Sequence, residues 1–165
     1  MVLVNMKHMD NEIDELLQFK QEMMARLDDS MGALMAASAN NNGRMYYLSQ
    51  PITKNTAVAD SLCRLYGATL VEIDDKAEFD FLVSQFNTVM GDDSVSLGAS
   101  DRTKEGTWSF LSSGSPMTWF NWASGNSNDA SKNCLYMGAG ANGTAVAMFA
   151  DACYEHTFNR FICEI

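Results

Sequence analysis

Histidine is scarce in this chain, which limits the catalysis that the protein can perform. Among 165 residues there are two histidines, His8 and His156, and His8 lies in an amphipathic N-terminal segment. A histidine-dependent triad therefore has at most one candidate base. The sequence also lacks a phosphate-binding loop, and Gly106, Gly114 and Gly125 are too scattered for a dinucleotide-binding fingerprint. We therefore expect that the protein is not an enzyme.

Positive charge and long apolar runs are also in short supply. There are 11 lysines and arginines against 21 aspartates and glutamates, so the net charge is −10. Nucleic acid and anionic membrane surfaces would repel such a chain, and we expect neither as a partner. No apolar run approaches the ~20 residues of a membrane-spanning helix. The first residues lack a basic region followed by an apolar stretch, so no secretory leader is visible.

Four cysteines are present, Cys63, Cys134, Cys153 and Cys163, without the Cys-x-x-Cys spacing and histidine partners of a zinc site. An even count in a small polar domain indicates two disulfides, for which three connectivities are possible. Disulfides persist in oxidising compartments, so we expect an extracellular, secreted protein whose leader has been removed. Asn142 begins a candidate N-glycosylation acceptor, which is compatible with secretion.

Residues 1–35 carry a heptad pattern that predicts a helix. Apolar side chains recur at alternating three- and four-residue steps, and Lys20 and Ser30 fill the two polar positions. The apolar positions are Val2, Met6, Met9, Ile13, Leu16, Met23, Leu27 and Leu34. We expect a coiled-coil neck that makes the protein a homo-oligomer; the alternative is one amphipathic helix packed on its own domain. Further apolar residues beside the stripe favour three strands over two.

The rest of the chain reads as an α+β domain over residues 44–165, preceded by a linker of small and turn-forming residues at 36–43. The pattern predicts a strand at 45–48, a helix at 56–66 ended by Gly67, a strand at 69–73, and a second helix begun by the capping box of Asp75 and Glu78. The remainder is β-rich. Residues 121–133 are polar and irregular, which predicts a long surface loop of the kind that commonly carries binding.

Short sequence blocks around the cysteines carry a resemblance. The blocks are residues 67–73 (GATLVEI), 96–98 (SLG), 105–108 (EGTW), 119–122 (WFNW), 151–153 (DAC) and 161–165 (FICEI). In their order and spacing they resemble the C-type lectin-like domain in its short form with two disulfides, over roughly residues 44–165. The resemblance implies two helices packed on mostly antiparallel sheets beside a long irregular loop region. It also implies the nested disulfides Cys63–Cys163 and Cys134–Cys153.

The resemblance implies a calcium ion that also binds two sugar hydroxyls, and this sequence departs from the family's ligand pattern. The Glu-Pro-Asn or Gln-Pro-Asp tripeptide corresponds to Asn126-Ser127-Asn128, and the following glutamate corresponds to Lys132. The Trp-Asn-Asp signature corresponds to Phe149-Ala150-Asp151. A lysine opposes a cation, and fewer charged ligands weaken calcium affinity. We therefore expect a degenerate calcium and sugar site at Asn126, Asn128, Lys132 and Asp151.

The family's auxiliary calcium site is better preserved. Its ligand positions correspond to Asp101, Glu105, Asp129 and, with an amide in place of a carboxylate, Asn133. These side chains offer the oxygen ligands that calcium takes, and they would order the loop without touching a sugar. The alternative is that Asp101 and Glu105 only cap turns.

Aromatic side chains offer a second route to glycans, because the apolar faces of their rings stack on sugars. Trp119 is our candidate for such a contact. In the resembled family the tryptophans that match Trp108 and Trp122 lie mostly in the core, and we expect the same here. The other aromatic residues expected in or near the core are Phe120, Phe149, Tyr154 and Phe158.

Two functions are compatible with these features. The first is an extracellular lectin, multivalent through its neck, that binds a glycan or glycoprotein through the loop at 121–133 and the segment near Asp151. The second is a calcium-independent module that binds a protein ligand in adhesion or recognition, which the lost calcium ligands favour. An acidic surface that contacts mineral or ice is a third reading.

Overall fold

The computed structural model describes residues 2–52, 55–124, 130–140, 144–154 and 159–165. The chain forms two compact units, residues 1–34 and residues 35–165. The first unit is a single helix, α1 (Val2–Leu34). The helix that the heptad pattern predicted is therefore confirmed, whereas its association with further copies stays a prediction.

The second unit combines two helices with an eight-stranded sheet, counted over the described residues. Its elements are β1 (Met35–Asn41), β2 (Arg44–Ser49), α2 (Thr56–Leu65), β3 (Thr69–Leu70), α3 (Lys76–Met90), β4 (Ser94–Ser100), β5 (Ser109–Phe110), β6 (Cys134–Gly140), β7 (Thr144–Asp151) and β8 (Asn159–Glu164). The strand order is β1-β2-β8-β4-β6-β7, with β3 on β8 and β5 on β4. The pairing of β4 with β8 is parallel, and the other strand pairs are antiparallel. The predicted α+β fold is confirmed.

The segment predicted as a linker, residues 36–43, is mostly strand. Residues 35–41 form β1, which pairs with β2 around a tight turn at Asn42 and Gly43. Both turn residues have positive φ, 53° and 96°, as the favoured two-residue hairpin turns require. The linker prediction was wrong because alanine, serine and asparagine give no strand signal by themselves, and the pairing with β2 makes this segment a strand.

The helix ends largely follow the predicted signals. Gly67 follows α2 with φ of 73°, and the Ala68 amide donates to the carbonyl of Cys63 (3.0 Å). At the start of α3 the amide of Glu78 donates to the Asp75 carboxylate (2.9 Å). The Glu78 carboxylate accepts from the Asp74 amide (2.9 Å), so half of the predicted capping box forms. The strand predicted at 69–73 is shorter than expected. Only Thr69 and Leu70 pair in register with β8, so β3 has two residues.

Two disulfides link distant parts of this unit. Cys63 on α2 is bonded to Cys163 on β8, and Cys134 on β6 is bonded to Cys153 just after β7. These are the pairs that the resemblance implied, and they are confirmed. The core lies between α3 and the sheet, where Phe79, Leu82 and Phe86 of α3 are buried. The largest fully buried side chains are Tyr46, Tyr136, Phe86, Phe161, Leu48, Leu70, Ile73, Leu82, Leu97, Leu135, Met137 and Met148.

Strand β4 passes unusually close to the chain that follows β3. The amide of Gly98 donates to the carbonyl of Val71 (2.7 Å), and a Cβ on Gly98 would lie 2.5 Å from the carbonyl oxygen of Leu70. Glycine is therefore required in the 96–98 block, because any side chain would collide with the neighbouring backbone.

A cluster of charged side chains lies where β2, α3 and β8 meet. The Arg44 guanidinium is 3.0 Å from Glu78 and 3.3 Å from Glu164, and the Tyr46 hydroxyl donates to Glu78 (2.6 Å). The Glu164 carboxylate also accepts from the Glu72 amide (3.2 Å). Burial is the main cause that raises the pKa of Glu164 to about 7, against the hydrogen bond from the Glu72 amide and the charge of Arg44, which lower it.

Candidate functional site

The end of β4, the start of β6 and the end of β7 lie side by side. Most of the predicted site residues that the structure describes are on or next to these strand ends. Ser100, the last residue of β4, is the register partner of Cys134 at the start of β6. Cys134 in turn pairs with Asp151 at the end of β7. We call this end of the sheet the loop end. It brings together the predicted ligand positions Asp101, Lys132 and Asp151.

Asp101 directly follows β4, and its side chain points into the turn formed by residues 101–106. Its side chain is 1% exposed, and one carboxylate oxygen accepts from the Gly106 amide (3.0 Å). Its carbonyl accepts from the Lys104 amide (3.0 Å), which closes the same turn. The other oxygen, Oδ1, is buried and has no hydrogen-bond partner among the described residues. Asp101 therefore caps this turn with one carboxylate oxygen, and its role as a calcium ligand stays a prediction.

The other predicted auxiliary ligands are not gathered around Asp101. Glu105 is exposed on the same turn. Asn133 precedes β6, where its side-chain amide donates to the Ala130 carbonyl (2.9 Å) and its own carbonyl accepts from Ser100 Oγ (2.6 Å). Asp129 lies outside the described residues.

The predicted sugar-site residues fall partly outside the described chain. Asn126 and Asn128 lie there, as do Asn142 and His156. Lys132 is half-buried just before β6.

The remaining sugar-site position, Asp151, is half-buried, and its carboxylate accepts from the Ala152 amide (2.8 Å). Ala150, which stands where the family signature has an amide side chain, is 3% exposed. The side chain of Ala150 therefore packs in the core and offers no oxygen ligand.

A small cavity adjoins the Cys134–Cys153 disulfide, with a volume of about 140 Å³. Its lining consists of both cysteines and Thr56, Ala57, Ser100, Arg102, Leu111 and Tyr154. Tyr136 on β6 connects the start of α2 with the end of β7 beside this cavity. Its hydroxyl lies 3.0 Å from Thr56 Oγ1 and donates to the Ala152 carbonyl (3.1 Å). Burial raises the pKa of Tyr136, which keeps the hydroxyl protonated as a donor.

Arg102 and Tyr154 beside this cavity were missed by the sequence analysis as site residues. Tyr154 was expected in or near the core and is 56% exposed, so that expectation was wrong. Its hydroxyl accepts from Arg102 Nη1 (2.8 Å), and the guanidinium carbon lies 5.8 Å from the ring centroid. The sequence carries no signal for this contact, because the residues are far apart in the chain and meet only across β4 and β7.

The tryptophans pack largely as expected. Trp108 is 5% exposed and meets Trp122 edge-on at 5.6 Å between ring centroids. Trp122 is half-buried and stacks on Phe120 at 5.0 Å. Trp119, the predicted sugar-stacking residue, is half-buried and packs on Phe79 at 5.6 Å. Part of its surface is thus committed to the core.

The fold and its two disulfides are shared with a known protein family. The family model of the lectin C-type domain matches residues 52–165. This chain belongs to the C-type lectin domain family. Domains of this family are typically non-enzymatic carbohydrate-binding modules.

Solved structures show the same C-type lectin fold at low sequence identity. The carbohydrate-recognition domain of the mouse scavenger receptor C-type lectin is 24% identical with a TM-score of 0.62, covering 78% of this chain and 92% of that chain. The C-type lectin domain of murine dendritic cell inhibitory receptor 2, in complex with N-glycan, is 19% identical with a TM-score of 0.64, covering 78% and 94%. A calcium-independent type II antifreeze protein is 20% identical with a TM-score of 0.62, covering 81% and 95%.

C-type lectins are generally calcium-dependent, so the donor set of this lectin domain can be tested against that ion. Calcium takes six to eight oxygen ligands. The described residues contain no group of three acidic, histidine or cysteine side chains arranged to hold a metal. Asp101 Oδ1 is the one unpartnered buried carboxylate oxygen among them. The described residues therefore do not make up the family's calcium site.

Proposed function

We propose that this protein is an extracellular lectin that binds glycans at the loop end of its C-type lectin domain and is multivalent through α1. The observation that carries the proposal is the family match over residues 52–165 together with both disulfides of the short form. The murine relative in complex with N-glycan supports a glycan as the ligand. The proposed contacts are Asn126, Asn128, Lys132, Asp151 and Trp119.

The sugar-site calcium is proposed to be weak or lost. Lys132 brings a positive charge to a ligand position, and Ala150 is a buried methyl group where the family has an amide. Ligand charge and number set calcium affinity, so both changes lower it. If calcium binds this chain, the auxiliary positions Asp101, Glu105, Asp129 and Asn133 are where we propose that it does.

Multivalency is proposed from the surface of α1. Large apolar side chains along its heptad stripe are exposed, including Leu16 at 67% and Met23 at 50%. A second and third copy of the same helix would cover this stripe by knobs-into-holes packing. Linking several weak sugar sites in this way raises avidity by ~10²–10⁴ without new contacts.

An extracellular location is supported by the disulfides, which persist in oxidising compartments. Over the described residues, none of the helices has the length and hydropathy needed to cross a bilayer.

The alternative function is a calcium-independent module that binds a protein in adhesion or recognition. Lys132 and Ala150 favour it, because they remove the oxygen ligands through which calcium would hold a sugar. Replacing Asn126 and Lys132 by glutamate separates the two proposals. A new sugar affinity in N126E/K132E, with none in the parent chain, would show that the native loop end serves another ligand.

The direct test is a glycan array probed with the full chain, once in millimolar calcium and once in a chelator. Calorimetric titration of calcium into the chelator-treated protein runs beside it, with Asp101→Asn as the variant that should lower any calcium affinity. We expect glycan binding that calcium changes little. An array that stays blank under both conditions would overturn the glycan proposal and leave the protein-binding module, with thermal hysteresis as the check for ice.

A further inference from the structure

The basic side chains of the lectin domain divide into two groups. Four of those described there are held in ion pairs, namely Arg44, Arg64, Lys76 and Arg160. The remaining three, Arg102, Lys104 and Lys132, form no ion pair with a carboxylate of the described residues. In a chain with a net charge of −10, these three cations are the described basic groups of the lectin domain that a ligand could engage.

All three uncompensated cations lie at the loop end. Arg102 and Lys104 follow β4 directly, and Lys132 directly precedes β6. These two chain segments are adjacent, because Ser100 pairs with Cys134 and Ser100 Oγ donates to the Asn133 carbonyl (2.6 Å).

Three carboxylates of the described residues lie near these cations, and none of them is ion-paired with Arg102, Lys104 or Lys132. Asp101 is buried and bonded into its own turn, and Asp151 accepts from the Ala152 amide. Glu105 is the exposed acid on the same turn. Among the described residues, the three cations of the loop end are therefore available to pair with an anionic ligand.

The cavity beside the disulfide is lined by one of these cations, Arg102. Arg102 is itself exposed and spends one guanidinium nitrogen on the Tyr154 hydroxyl. Its other N–H groups form no bond within the described part of the chain, so they can meet a carboxylate in the bidentate geometry that guanidinium favours. The cavity volume of about 140 Å³ admits about four or five non-hydrogen atoms, taking about 30 Å³ for each water-sized group.

We infer that the loop end binds an acidic, N-acylated sugar directly, without calcium. The carboxylate of the sugar bonds to Arg102, its acyl group enters the cavity lined by Ala57, Leu111 and the disulfide, and Lys104 and Lys132 add attraction at longer range. This inference rests on the proposed glycan-binding function and specifies its ligand class. It also gives Lys132 a role: a cation at this place attracts the ligand's charge instead of opposing a metal.

The test compares three probes on the full chain in chelator. The probes are lactose capped with N-acetylneuraminic acid, which carries a carboxylate and an acyl group; sulfated lactose, which carries charge alone; and lactose, which carries neither. We expect the affinities to fall in that order. Raising the salt concentration should weaken binding of both charged probes, because exposed charges are screened.

Substitutions assign the contacts. Arg102→Gln should weaken binding of the sialylated probe about tenfold to a hundredfold, the range for losing a hydrogen bond to a charged group. Arg64→Gln, which removes the same charge from the exposed face of α2, is the matched control and should leave binding unchanged. Ala57→Leu should fill the cavity and weaken the sialylated probe while sparing the sulfated one. Near-UV circular dichroism checks that each variant is folded.

The outcomes separate this inference from the proposal beneath it. Equal affinity for sialylated lactose and lactose, unaffected by R102Q, would overturn the inference and leave the glycan-binding proposal in place. Equal weakening of both charged probes by A57L would remove the cavity from the site. A chain that binds neither these probes nor any glycan of the array overturns both.

Discussion

The two units of this protein treat their apolar side chains in opposite ways. Along α1, Leu16 and Phe19 are 67% and 62% exposed, whereas Leu82 and Leu97 of the lectin domain are 0% and 1% exposed. A sheet with helices on its face can bury its own apolar side chains, and a single helix cannot. The lectin domain therefore buries its own apolar side chains, while the stripe of α1 is the surface on which the proposed coiled coil depends.

The largest expected difference between the units concerns the disulfides, which lie only in the lectin domain. Replacing Cys63 and Cys163 by alanine opens a loop with a sequence separation of 100. The chain-entropy account assigns to such a loop about 4.7 kcal/mol of the free energy of unfolding. Urea unfolding followed by tryptophan fluorescence reports this unit alone, because Trp108, Trp119 and Trp122 all lie in it.

The second disulfide is the control for that measurement. Cys134 and Cys153 are separated by 19 residues, and their replacement should cost less, about 3 kcal/mol. Equal losses for the two pairs would contradict the loop-length explanation. The far-ultraviolet signal of α1 should persist in both variants.

The next largest effect should be confined to α1. Replacing Leu16 and Met23 by aspartate places charges in the stripe, and each side chain that an oligomer buries contributes roughly 1.5–3 kcal/mol. We expect the variant to sediment as a monomer while its lectin domain unfolds at the parent's urea concentration. Gln21→Asp, on the polar face of the same helix, is the matched control and should sediment as the parent does. If the parent chain is itself a monomer at micromolar concentration, the proposal that α1 forms a coiled-coil neck is wrong.

A pair of glycine substitutions contrasts the units directly. Gly98→Ala should destabilise the lectin domain by about 1–3 kcal/mol, because the new Cβ would stand 2.5 Å from the Leu70 carbonyl oxygen. Gly32→Ala in α1 meets nothing within 4 Å and should stabilise the helix by up to about 1 kcal/mol. Thermal unfolding followed by circular dichroism at 222 nm and by tryptophan fluorescence distinguishes the effect on α1 from the effect on the lectin domain. A neutral G98A would mean that β4 can move away from β3.

The smallest expected effect is a pH dependence of the lectin domain. Burial raises the pKa of Glu164 from 4.5 to about 7, so the folded state binds a proton that the unfolded state has released. The stabilisation from this group is complete below pH 4.5 and is lost as the pH rises through 7. One pKa unit corresponds to about 1.36 kcal/mol. After a discount for the partial exposure of Glu164, the expected loss in the free energy of unfolding is about 1–2 kcal/mol.

Urea unfolding at pH 5 and pH 8 measures this loss. Glu164→Gln removes the titrating group and should flatten the difference between the two pH values. Glu164 faces Arg44 on β2, Glu78 on α3 and the Glu72 amide, so Gln at this position keeps the shape of the cluster. A pH difference that persists unchanged in E164Q would assign the effect to another group.

Much of this architecture was predictable from local sequence. The heptad steps of α1, the stop of α2 at Gly67 and the start of α3 at Asp75 are signals carried by residues within one or two turns of each other. The disulfide pairing came from the resemblance, because four cysteines alone permit three connectivities.

Other features could not be predicted, because they depend on contacts between distant segments. Residues 35–41 became a strand only through their pairing with β2. Tyr154 is exposed, and its hydroxyl bonds to Arg102 at the end of another strand.

The sequence by itself determined which segments are helical, where the helices of the lectin domain begin and end, and, through its ordered blocks, the family to which the domain belongs. These properties arise from side-chain periodicity and local hydrogen bonding. The tertiary structure decided which charged side chains, among those it describes, form ion pairs and which do not. Pairing β4 with β6 brings Arg102, Lys104 and Lys132 to one end of the sheet, and local sequence does not encode which strand ends are neighbours.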